Sequence, residues 1–201
     1  MSRNPMLAIG VAAALALGAT AAQAQSSNSN TQPSSMNSGS SMNTNSGMKQ
    51  ASKADQKFLK KAVEGDMAEV QMGKLAQQNG QSEDVKQFGQ MLEQDHGQHL
   101  QQAQQQAQQM GVTPPSGPNA KQKAMHARLS KEHGARFDKQ FAKAMVKDHK
   151  QDIAQYEKQA KKKDELGQFA EQTIPTLQKH LQIAQSIESK GAVTGSGRVS
   201  K

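Results

Sequence analysis

The sequence contains no cysteine and no tryptophan, and its aromatic residues are one tyrosine and five phenylalanines. Without cysteine there is no disulfide framework, no thiol for lipid attachment and no thiolate metal site, so stability must come from packing alone. With aromatics at 3% of residues and none interleaved with Lys or Arg, the chain lacks the stacking platform of a nucleic-acid binder. Its lysines fit the solvated faces of helices instead. Nucleophilic catalysis has no support either, because no Ser sits in a nucleophile elbow. No alternating strand pattern occurs anywhere in the chain.

Long apolar runs are equally scarce. The single one, Met6 to Ala19, follows Arg3 and precedes the small-x-small triplet Ala22-Gln23-Ala24. Met1 to Ala24 therefore reads as a secretory signal cleaved before Gln25. Its apolar core is too short for a bilayer span, which needs roughly 20 residues. The expected mature protein is exported, periplasmic or associated with the outer membrane, and has no transmembrane segment. Its net charge of +8, one less once Arg3 leaves, suits peripheral contact with an anionic envelope surface better than nucleic acid. No motif identifies a protein partner.

Residues 25–51 are rich in Ser, Asn and Gly and cannot bury enough surface to offset their ordering entropy, so a flexible linker is expected. Its Met36, Met42 and Met48 offer soft thioethers that suit Cu(I), although a low-complexity repeat is the simpler reading. A flexible tail is expected over residues 190–201, where Gly191, Gly195 and Gly197 cluster. The 52–189 stretch remains, enough for one domain with one core.

Within it the apolar residues recur at helical spacing. A first long helix is expected from the N-cap Ser52 to Asn79, with Phe58, Leu59, Ala62, Val63, Val70, Gly73 and Ala76 inward. A second follows Ser82 and ends near Met110-Gly111. Pro114, Pro115 and Pro118 then impose a break. A short helix should cover Ala120 to Lys131. A third long helix opens at Gly134 and reaches Lys162, with Asp138 holding its start. The fourth is capped by Asp164, ends near Ser189, and carries Pro175, which should kink it. The fold class is thus all-α: a four-helix bundle with an extra short helix in a central crossover, which makes the second and third long helices parallel.

Chemistry-bearing residues interrupt the apolar stripes. Phe88, Leu92, Asp95, His96 and Leu100 recur in the same spacing as Phe141, Met145, Asp148, His149 and Ile153. His96 and His99 fall inside the stripe of their helix, His149 lies on or beside its own with Asp148 and Asp152, and His180 falls within the fourth. On the first helix Asp66 and Glu69 project into the stripe, although carboxylates are costly to bury unless paired or bound to metal. Tyr156 is read as core.

Several segments together resemble the DUF4142 family: Glu69 to Ala76 (EVQMGKLA), Val85 to Met91 leading to Asp95-His96, Gly134 to Asp138, Val146 to His149, and Ile174 to Leu181. The match runs from Ala54 to Ile187 with its motifs in order. The resemblance implies exported bacterial proteins, often labelled outer membrane proteins, and a ferritin-like bundle.

The sharpest functional expectation is that Glu69, His96, His149 and His180, one per long helix, converge on a transition metal ion such as Fe, Mn, Cu or Zn. Asp66, Asp95, His99, Asp148 and Asp152 would orient the imidazoles or add ligands. Glu-x-x-His occurs at only one of these positions, Glu93 to His96, and not at His149 or His180, which departs from the ferritin di-iron pattern of two such motifs and argues against ferrous oxidation. The competing expectation is a metal-free interaction or stress-related structural module, in which carboxylates satisfy each His and only fix helix register. A ferritin-like redox enzyme is a third. On balance the sequence reads as a metal-binding bundle rather than an enzyme.

Overall fold

The structure, a computed structural model, describes residues 51–195, with side chains to Gly191. The expected signal segment, most of the expected linker with its three methionines, and the last residues of the expected tail lie outside the described residues. The helices are α1 (Lys53–Asn79), α2 (Glu83–Gln109), α3 (Ala120–Leu129), α4 (Gly134–Ala160) and α5 (Glu165–Gly195). There is no strand among the described residues.

Local chemistry sets the helix ends. Ser52 accepts the Asp55 N–H and Ser82 accepts the Val85 N–H, opening α1 and α2. Asn119 and Gln122 form a reciprocal capping box on α3. The C-terminus of α2 closes with Gly111 at φ +65° and the Val112 N–H on the Ala107 carbonyl, a Schellman arrangement that needs the left-handed glycine. The Gly167 N–H bonds Asp164, as expected for the cap of α5. Unlike the sequence expectation, α5 continues past Lys190 to Gly195. Glycines lower helix propensity by only about 1 kcal/mol each, too little to stop a helix already running.

Two antiparallel hairpins, α1 with α2 and α4 with α5, pack side by side; α2 faces α5, α1 faces α4, and α3 lies across α1 and α4. Asp138 near the start of α4 accepts the Gln81 and Ser82 N–H groups, so it holds the turn before α2 and not, as the sequence suggested, the start of its own helix, which has no side-chain cap. That contact puts the starts of α2 and α4 at one end, and the two helices are parallel.

The core is divided. One apolar cluster contains Met72, Leu75, Val85, Phe88, Leu92, Phe141, Met145, Ala184 and Ile187. The other contains Phe58, Leu59, Val63, Ala103, Ala107, Tyr156, Leu166, Phe169 and Leu177. On every long helix one or two buried polar residues fall between its contributions to the two clusters: Asp66 and Glu69 on α1, His96 on α2, His149 on α4, His180 on α5; the other buried polar residues, Asp55 and Gln159, lie at the outer end of the second cluster. A polar layer therefore crosses the middle of the bundle.

Candidate metal centre

His96, His149 and His180 are all buried, and one ring nitrogen of each lies within 4.8 Å of the other two. Their ring centroids are 5.3 to 5.8 Å apart, and Phe88 packs against His149 and His180. Three histidines from three helices meet as the sequence pattern suggested.

The group facing each ring fixes where its proton sits. His149 Nδ1 faces the Met145 carbonyl oxygen at 3.0 Å, an acceptor only, so Nδ1 carries the hydrogen and donates it. His180 Nε2 donates to Asp95 at 2.9 Å. His96 Nδ1 donates to Asp66 at 2.9 Å, and the other oxygen of that carboxylate receives His99 Nδ1 at 2.7 Å. In neutral rings the remaining nitrogens, His96 Nε2, His149 Nε2 and His180 Nδ1, are lone pairs. His149 Nε2 and His180 Nδ1 face each other at 3.3 Å, and His96 Nε2 is buried without any hydrogen-bond partner.

Two facing lone pairs repel unless a cation lies between them. A proton is disfavoured there. Burial, with the nearby His96 and His180, pushes His149 well below the ordinary histidine value. Burial and His96 push His180 down to about 4 despite Asp95. Burial also works against a charge on His96, but the Asp66 hydrogen bond and charge outweigh it and hold that ring above the usual value. Asp66 is buried yet held low by the hydrogen bonds of His96 and His99. A metal fits the spacing: with metal–nitrogen bonds of about 2.0–2.1 Å, two ligands of a tetrahedral ion stand roughly 3.3 Å apart.

Glu69 is buried but is not in the group of atoms within 4.8 Å. Its Oε2 has no partner. Burial, reinforced by Asp152, Asp148 and Asp66 and opposed by His96, pushes its carboxyl up to about 8. Asp148 and Asp152 are half-buried on α4 and line a groove with Glu69 rather than bonding the histidines. His99 is half-buried, stacks on Phe169, and meets Thr173 Oγ1 at 3.1 Å. Tyr156 is core, edge-on to Phe58 at 5.0 Å. A second, smaller groove between α2 and α5, about 270 Å³, reaches Asp95, His96, His99 and His180.

Sequence reasoning missed two participants. The Met145 carbonyl is recoverable in hindsight as the i−4 acceptor of His149, whereas Thr173 looked like any polar residue of α5.

The family model described as a domain of unknown function (DUF4142) matches residues 40–187. The chain belongs to the DUF4142 family. The match spans all three histidines and Glu69. No curated protein and no solved structure matches the chain.

Proposed function

We propose that this DUF4142 protein is an exported, metal-binding or metal-buffering protein of the cell envelope, with His96, His149 and His180 as ligands and Glu69 as the adjacent carboxyl. The observation that carries the reading is the set of three buried imidazoles whose outer nitrogens are hydrogen-bonded and which each bring one ring nitrogen within 4.8 Å of the other two. Outer partners of this kind, carboxylates and a backbone carbonyl, are those that orient metal-bound histidines. Neutral nitrogen ligands suit Zn, Cu or Fe better than Mg or Ca. The basic charge supports an anionic envelope surface as the neighbourhood.

The outer hydrogen bonds also favour a metal-free network that fixes helix register. Such a network would leave His96 Nε2 and Glu69 Oε2 unsatisfied, at about 1–3 kcal/mol each. Elemental mass spectrometry on untagged protein from its own compartment separates the readings. Near-stoichiometric metal, lost in a His96→Ala/His149→Ala variant that keeps its helicity, supports the centre. Wild-type protein that carries no metal and takes up none of Fe, Mn, Cu or Zn refutes it.

A further inference from the structure

The groove between α1, α3 and α4, about 660 Å³, holds polar groups that make no hydrogen bond to the three imidazoles. Glu69 from α1 lines it, together with Asp148 and Asp152, which stand one turn apart on α4. Glu69 is only 4% exposed and its Oε2 has no hydrogen-bond partner. Neither Asp148 nor Asp152 makes a hydrogen bond or ion pair among the described residues. Lys61, Lys121 and Lys147 influence the two aspartates only from a distance. A deep carboxyl with no partner, facing two more, is a poor arrangement for a protein with nothing bound there.

The three carboxyls do not close on a common point as the histidines do, since only the histidine trio meets the 4.8 Å spacing among the described residues. A bare ion coordinated by all three is therefore excluded in this arrangement. The groove has room for an ion that keeps its water. Mg²⁺ and Mn²⁺ dehydrate reluctantly and bind proteins through one or two carboxylates while retaining several waters. Oxygen donors select such hard cations, whereas imidazoles select Zn, Cu or Fe.

We infer that Glu69, Asp148 and Asp152 hold a hydrated divalent cation of the Mg²⁺/Mn²⁺ class in this groove, beside the histidine centre and distinct from it in ligand chemistry. The inference stands on its own carboxylates and does not require an ion at the histidines.

The test is a Mn²⁺ titration of the purified untagged protein, with free Mn²⁺ read by electron paramagnetic resonance, before and after loading with Zn²⁺. The expected result is about one Mn²⁺ per chain that zinc does not displace. Asp148→Asn/Asp152→Asn should weaken it at least tenfold, with zinc uptake and helicity retained. Glu69→Gln, which keeps the side-chain shape, provides the same readout should the double variant fail to fold. Protein that takes up zinc but no Mn²⁺ overturns the inference and leaves the histidine centre standing. Mn²⁺ that zinc expels and that ignores both variants was bound at the histidines, and also overturns it. Carboxylate-dependent Mn²⁺ binding by protein that refuses zinc supports the groove site and removes the histidine one.

Discussion

A carboxyl buried as deeply as Glu69 works against folding. Its proton is held to about pH 8 in the fold against an ordinary 4.5, chiefly through burial. The folded state therefore keeps a proton that the unfolded chain has lost across that window, and stability falls as pH rises from 4.5 towards 8. By pH 7 the loss is on the order of 3 kcal/mol. Glu69→Gln removes this linkage, so metal-free variant protein should melt above wild type at pH 8 and close to it at pH 4.5. Melting below wild type at both values would mean that the carboxyl is a structural hydrogen-bond partner. The three histidines were legible in the sequence because each interrupts an apolar stripe. Asp66 and Asp95 were among the expected partners, but which carboxylate serves which ring was not legible. Asp95 adjoins His96 in sequence but bonds His180, and His96 bonds Asp66 across the hairpin. Neighbouring residues point about 100° apart around a helix, so adjacency said little about pairing.

Between elements, the close contact of α1 with α2 depends on two glycines. A Cβ at Gly73 would stand 2.5 Å from the Gly89 carbonyl oxygen, and one at Gly89 would stand 2.6 Å from that of Gly73. Backbone cannot yield as a side chain does. Gly73→Ala or Gly89→Ala should cost a net of about 1–2 kcal/mol by denaturant unfolding, since overpacking exceeds the gain in helix propensity. Gly97→Ala, with nothing within 4 Å, should instead stabilise by about 0.5–1 kcal/mol. A second fastening joins the start of α1 to the end of α4, where Asp55 meets Lys162 and Gln159. Burial opposes the Asp55 charge, but Lys162, Ser52 and Gln159 outweigh it and hold the carboxyl at about 2. Its contribution is complete above about pH 3.8 and is lost as pH falls towards 2. Asp55→Asn should cost about 1 kcal/mol at neutral pH, small because Lys162 is partly in water, and should flatten the acid limb of the melting curve. Gly73 was read from the sequence only as part of an apolar stripe. Its pairing with Gly89 depends on how two helices are rotated against each other, which no single stripe encodes.

At the scale of the molecule, the bundle was legible because four amphipathic segments and one proline-rich break leave few arrangements. The convergence of buried polar residues from all four long helices was expected as well, but the division of the core into two apolar clusters was not, because it exists only once antiparallel helices are aligned in depth. The polar layer makes the two hairpins depend on each other. His96 belongs to the first hairpin and His149 and His180 to the second, so an ion held by all three ties α2 to α4 and α5. Binding to the folded state alone adds about 2.7 kcal/mol when free ion is 100 times the dissociation constant. For a domain of this size that raises the thermal midpoint by about 10 °C. Zinc at that excess should produce such a shift in wild-type protein and none in His96→Ala/His149→Ala. Hydrogen exchange should also slow in α2, α4 and α5 together, because the ion opposes separation of the hairpins. A shift of equal size in the double variant would place the zinc elsewhere, and slowing confined to one hairpin would mean that the three rings do not share an ion.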